Sequence, residues 1–130
     1  MALRTETRPE TLEAIADRFA ATLAATAAVR DAQGGTALAE REALRETGLL
    51  NLLIPESRGG HGAGWPQIYR IVRRFSGSDS SIGQLFGFQH LMLATIDLFG
   101  SREQTEDLQR RTVAGRWFWG NTLNPLDHGL

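Results

Sequence analysis

The 130-residue sequence contains no cysteine and no lysine. Without cysteine there is no disulfide framework, no thiolate metal site and no cysteine nucleophile. Without lysine the 14 basic residues are all arginine, balanced by 15 acidic ones to a formal charge of −1, which we read as a genomic bias in base composition. A near-neutral chain has no field to gather nucleic acid or an anionic membrane, so neither is expected as a partner. The opening residues MALRTETRPE lack the apolar core of a secretory leader, which makes the cytoplasm the default compartment. A chain of this length makes one domain with a real core.

The most apolar stretch is residues 78–100, SDSSIGQLFGFQHLMLATIDLFG. Its apolar residues point in all directions around a 3.6-residue period, the pattern of a helix surrounded by protein. Ser78 or Asp79 is placed to cap its start, and Gly100 to end it in the left-handed conformation. Roughly 20 residues at 1.5 Å each would span about 30 Å, long enough for a bilayer. Gln84, Gln89, His90 and Asp97 argue against that, because polar groups in hydrocarbon are costly.

Before this stretch, Thr7 and Glu10 have capping-box spacing around Pro9, and Leu12, Ile15, Ala16, Phe19, Leu23 and Ala27 follow at helical intervals, predicting a helix over about 9–30. Thr36 is placed to cap a second, shorter helix that ends near Gly48. The apolar run Leu49 to Ile54, stopped by Pro55, reads as a buried extended segment. Residues 55–64 form a glycine-rich loop that lacks the spacing, the lysine and the context of a phosphate cradle. Trp65-Pro66 then opens a helix with Ile68, Ile71, Val72 and Phe75 on one face, and Ser101 with Gln104 caps a polar helix closing near Gly115. The aromatic run Trp117-Phe118-Trp119 favours a strand. A lone strand has no ladder to join, so the sequence reads as the front part of something longer.

Several segments resemble the N-terminal domain of the acyl-CoA dehydrogenase superfamily: Gly48-Leu49-Leu50 through Ile54-Pro55-Glu56 and Gly59-Gly60, then Asp79-Ser80-Ser81, Phe99-Gly100-Ser101 with Glu103-Gln104, and Gly115-Arg116-Trp117. Ala39-Glu40-Arg41-Glu42, Leu85-Phe86-Gly87-Phe88 and Gly120-Asn121 resemble most its flavin-dependent monooxygenase branch, the dibenzothiophene monooxygenase and sulfur-acquisition type. The dehydrogenases usually carry Thr-Glu-Pro after the strand, where Leu123-Asn124-Pro125 stands here. The monooxygenase branch commonly has a histidine after its aromatic Phe-Gly-aromatic motif. Here that position is Gln89, and His90 follows it.

The resemblance implies an all-α, up-and-down helical domain over 1–115, with 116–130 as the first strand of a middle β-domain. It implies a flavin-dependent oxidoreductase of the monooxygenase type with FMN, or FAD in the alternative case of an acyl-CoA dehydrogenase. It also implies a small organic substrate, a flavin reductase partner and a homo-oligomer, the family's being a tetramer. A non-catalytic helical interaction domain is the reading from another class.

For the site, the resemblance points to Asn121, Thr122 and Leu123 at the flavin. Asn121 offers a donor and an acceptor to a flavin edge or substrate oxygen, though an asparagine there also suits a plain turn. His90 is a candidate acid or base, or else a hydrogen-bonded core histidine. Phe88 and Gln89 are candidates for the substrate pocket. Of the three adjacent aromatics one could stack on a flavin ring, while packing is the expected job of at least two. His61 and His128 have no partners at metal-ligand spacing, and no metal is expected.

Overall fold

The computed structural model describes residues 10–121. Among them are five helices: α1 (Leu12–Gln33), α2 (Leu38–Glu46), α3 (Trp65–Ser78), α4 (Ser80–Phe99) and α5 (Arg102–Gly115). Short 3-10 turns at Leu49–Asn51 and Glu56–Arg58 fill the connection between α2 and α3. None of these helices is long and apolar enough to cross a membrane. The architecture is the helical domain expected. Residues 117–121 form no strand, since no neighbouring strand among the described residues offers them a ladder.

The packing centre is α3. It lies against α1 on one side and α4 on the other, and an edge-to-face aromatic chain runs through all three. Phe19 meets Phe75 at 5.2 Å, Phe75 meets Phe86 at 4.9 Å, and Phe86 meets the His90 ring at 4.5 Å. Such pairs add to area burial because the positive edge of one ring faces the negative face of the next. The close approach of α3 and α4 depends on Gly83, where a Cβ would lie 2.2 Å from Ser76 Oγ and 2.8 Å from its backbone. α4 is therefore not the surrounded hub that its all-round apolarity predicts. Ile82, Phe86 and Leu93 are fully buried, while Leu85, Phe88, Leu91, Leu98 and Phe99 face outward.

The caps explain where the elements begin. Asp79 is the single residue between α3 and α4, and its Oδ1 accepts from Ile82 N at 3.1 Å. Ser101 and Gln104 form the reciprocal capping box at the start of α5. Four expectations are corrected. Thr11, with its hydroxyl accepting from Ala14 N at 3.2 Å, caps α1, whereas Thr7 lies outside the described residues. α2 has no side-chain cap, and Thr36 contributes only its carbonyl, which accepts from Leu38 N at 2.8 Å. Gly100 is extended (φ −75°, ψ 149°) rather than left-handed; glycine suits it because a Cβ would sit 2.6 Å from the Ile96 carbonyl oxygen.

The fourth correction concerns residues 49–54, which turn rather than extend. Gly48 at φ 73° starts the turn, and Asn51 N→Gly48 O (3.2 Å) and Ile54 N→Asn51 O (3.2 Å) close its backbone bonds locally. With no strand to pair with, a buried backbone must satisfy itself. The turn also sends Leu49, Leu50, Leu52 and Ile54 into the core together. The glycine-rich loop that follows is likewise ordered, held by Gly62 N→Ile54 O (2.8 Å) and Ala63 N→Leu52 O (2.7 Å). Arg58 ties it to α5 through Gln109 Oε1 at 2.6 Å and Glu106 Oε1 at 3.4 Å, and Gln109 in turn donates to Asp97 on α4 at 2.7 Å.

Candidate functional site

A cleft of about 940 Å³ opens between the end of α1, the α1–α2 connection, the first half of α4 and residues 119–121. Its lining includes Gln84, Leu85 and Phe88 on one face of α4 and, beside them in the cleft, Trp119, Gly120 and Asn121. Gln84 and Phe88 share that face because they are one helical turn apart.

The wall at the start of α4 is fixed by charge. Arg30 of α1 reaches Glu40 of α2 through Nε at 3.0 Å and Asp79 through its terminal nitrogen at 2.7 Å. Asp79 thus caps α4 with one oxygen and holds α1 with the other. Burial acts to raise the pKa of its carboxyl, but the Ile82 amide and the Arg30 guanidinium outweigh that and hold it below the ordinary value. All three partners are mostly shielded, which makes this pair stronger than the exposed ion pairs elsewhere on the surface.

Residues 117–119, which lead into this lining, are held by neighbouring elements. α5 ends at Arg116, a non-glycine residue at φ 49°, and Trp117 N then donates to Thr112 O at 3.1 Å. Gly115 leaves room for the Trp117 indole, whose Nε1 would be 2.2 Å from a Cβ. Trp117 lies under the Arg111 guanidinium at 4.8 Å, and Phe118 lies under that of Arg45 at 5.0 Å. Trp119 Nε1 donates to Thr112 Oγ1 at 2.9 Å. Two of the three aromatics thus serve packing, and Trp119 alone of them reaches the cleft.

The residues expected at the site separate into three groups. Phe88 and Asn121 both line the cleft. Gln89 and His90 do not reach it: each helical residue turns by about 100°, so the positions after Phe88 point into the domain. Both are completely buried. The Gln89 amide meets backbone groups of Leu50, Trp117 and Trp119. His90 donates from Nδ1 to its own helix at Phe86 O, 2.9 Å away, and its Nε2 is buried without a hydrogen-bond partner. Burial pushes its pKa from 6.5 down to about 4, against the opposing effect of the Phe86 and Leu49 carbonyls, so at neutral pH the ring is uncharged. Thr122 and Leu123 lie outside the described residues. Gln84 and Arg30 are the cleft residues that sequence reasoning misses. The one-turn spacing of Gln84 and Phe88 is a usable signal, whereas nothing local marks Arg30.

The caps, the turn after α2 and the cleft belong to one five-helix domain. Residues 5–116 match the acyl-CoA dehydrogenase, N-terminal domain, and the chain belongs to that family. Among particular proteins it is similar to the probable FMNH2-dependent monooxygenase SfnC of Pseudomonas putida, 50% identical over 121 residues that make up 93% of this chain and 31% of that protein. It is also similar to the dibenzothiophene monooxygenase of Rhodococcus erythropolis, 44% identical over 108 residues, 83% of this chain and 26% of the relative. Of solved structures, methanesulfinate monooxygenase MsuC from Pseudomonas fluorescens superposes with a TM-score of 0.86 at 50% identity, covering 92% of this chain and 31% of that one. The complex of TdsC from Paenibacillus sp. A11-2 with FMN and indole superposes with a TM-score of 0.79 at 41% identity, covering 82% and 27%. The chain therefore spans less than a third of the length of these relatives.

Proposed function

We propose that this chain is the N-terminal part of a flavin-dependent monooxygenase of the dibenzothiophene monooxygenase and sulfur-acquisition type, acting with reduced FMN on a small organic substrate. The observation that carries this reading is the cleft that Asn121 and Trp119 line together with Phe88 and Gln84. Those residues fit a flavin. Trp119, Phe88 and Leu85 offer apolar surface to a flat ring, and the amides of Gln84 and Asn121 offer donors and acceptors to its polar edge or to a substrate oxygen.

The bound cofactor supplies the electrons that activate molecular oxygen. The chain's contribution is to exclude water with the apolar residues and to orient polar atoms with the two amides. His90, neutral and turned away from the cleft, supports α4 from inside rather than exchanging protons there. In the same reading, residues 116–130 begin a middle β-domain, Thr122 and Leu123 continue the flavin contact, and a flavin reductase delivers the reduced cofactor. The protein assembles as a homo-oligomer and works in the cytoplasm, where reduced flavin is available.

The test is Asn121 in the complete enzyme. If its amide orients a flavin or substrate oxygen, Asn121→Ala removes about 1–3 kcal/mol of transition-state contact, a loss of roughly one to two orders of magnitude in turnover. Asn121→Asp keeps the size but replaces the donor with a charge, so turnover falls in both variants while melting temperature holds. Near-normal turnover in Asn121→Asp would reduce Asn121 to a turn residue, because aspartate makes the same turn contacts.

A further inference from the structure

We infer that Gln89 is a positioning residue: its one buried amide clamps the backbone of residues 117–119 and thereby sets the cleft wall that carries Asn121. Both donors of the amide and its oxygen are engaged. Nε2 donates to Leu50 O at 3.2 Å and to Trp117 O at 3.1 Å, and Oε1 accepts from Trp119 N at 2.8 Å. The assignment of its oxygen and nitrogen is fixed by the partners, since a flipped amide would set NH2 against the Trp119 N–H and its oxygen against two carbonyls.

The chemistry of the contact is that of a missing strand. In a parallel β-ladder one residue of the neighbouring strand accepts from the N–H of residue i+2 and donates to the C=O of residue i. Trp119 N–H and Trp117 C=O are such a pair, and the Gln89 side chain meets both. The extended segment therefore has a ladder partner made of a single side chain, which explains how residues 117–119 hold their place without a sheet. The other end of the clamp is Leu50 O, on a residue 1% exposed in the 3-10 turn after α2, so the segment is referenced to the core. Trp119 Nε1 on Thr112 Oγ1 adds a second hold from α5. Asn121 follows two residues later, within the reach of this anchoring.

That Gln89 matters to catalysis rests on Asn121 belonging to the site; the clamp does not. In the 130-residue chain, Gln89→Met keeps the length and apolar bulk of the side chain but removes all three bonds. We expect the Trp119 backbone N–H to exchange at least about tenfold faster and the tryptophan emission to shift to the red, with far-UV helix signal and the exchange of Ile71 in α3 unchanged. Gln89→Glu adds a readout that loss of packing does not produce. When protonated, its carboxyl group can still donate one bond and accept from Trp119 N; when ionised, it faces two carbonyls with nothing to donate. The variant's tryptophan emission should therefore be docked at acid pH and released as pH rises, a transition absent from the native chain and from Gln89→Met over about pH 5–8.

Native protection of Trp119 in Gln89→Met would overturn the clamp. So would a pH-independent Gln89→Glu, which decides the matter even if Gln89→Met fails to fold. In the complete enzyme, Gln89→Met and Asn121→Ala should lose turnover together, with the double variant little worse than either single one, as for two residues acting along one path. Additive losses would overturn the positioning role. A silent Asn121→Ala beside a released Trp119 would instead sink the assignment of Asn121 and leave the clamp standing.

Discussion

α4 presents two apolar faces that differ in almost everything but composition. Ile82, Phe86 and Leu93 on the inner face are buried, while Leu98 and Phe99 on the outer face are 76% and 84% exposed. A 3.6-residue period singles out no direction when both faces are apolar, so the sequence marks the helix as buried without saying which side is buried within this chain. The relatives are about three times as long, and the outer face is where such a chain has room to add contacts. Apolar character on the inner face is a matter of stability; on the outer face it is a matter of association.

The two faces of α4 differ most at Phe86. Its ring is fully buried between Phe75 and His90, so Phe86→Ala removes two aromatic contacts and leaves a cavity at the point where α3 and α4 meet. Large-to-small aromatic changes of this kind cost about 3–5 kcal/mol, a large share of the ordinary stability of a domain this size. Urea denaturation should show the midpoint falling far below that of the native chain. A loss under about 1 kcal/mol would mean that the inner face is no better packed than the outer one.

How much of this is readable from residues alone depends on whether the cause is local. Asp79, the Ser101–Gln104 box and the Trp65-Pro66 start are local hydrogen-bonding and φ effects, and the helix ends follow from them. Residues 49–54 read as extended, wrongly, because five apolar residues around Asn51 carry no period that separates a strand from a turn. Gln89 and His90 look like site residues because a polar side chain on an apolar helix has either a ligand or a buried partner, and the sequence cannot tell these apart. Phe88 and Asn121 are found through family resemblance, and their sharing one cleft depends on the path of residues 117–121. Arg30, bridging Glu40 and Asp79, joins three elements separated along the chain and leaves no sequence signal at all.

His90 gives the inner face a pH signature. The native ring takes up its proton only near pH 4, whereas the unfolded chain does so near 6.5. Above 6.5 both states are neutral and the group has no effect on stability. As pH falls from 6.5 to about 4 the unfolded state binds the proton first, and folding loses a total on the order of 3 kcal/mol. His90→Leu should flatten stability across that window, measured by urea unfolding at closely spaced pH values. An unchanged slope would show that the ring is solvated and that the inner face is open to water.

The smallest expected effect is on the outer face, where Leu98→Ser and Phe99→Ser can be combined. Both residues lie in the last turn of α4, and phenylalanine and serine have similar helix propensities. Little burial is lost because little exists, and Gly100 with the Ser101 cap still ends α4 and begins α5. The unfolding free energy should therefore move by no more than about 0.5 kcal/mol. Association should respond much more, since these side chains continue the exposed row of Leu85, Phe88 and Leu91, and an uncovered apolar patch of that kind favours self-contact in water. Sedimentation of the native chain should show weight increasing with concentration, and the double variant should shift that increase to higher concentration. A native chain that stays monomeric throughout would show that the outer face is too dispersed to act as a patch. A double variant destabilised by more than about 1 kcal/mol would show that the outer face already carries stability, and the division between the two faces of α4 would be lost.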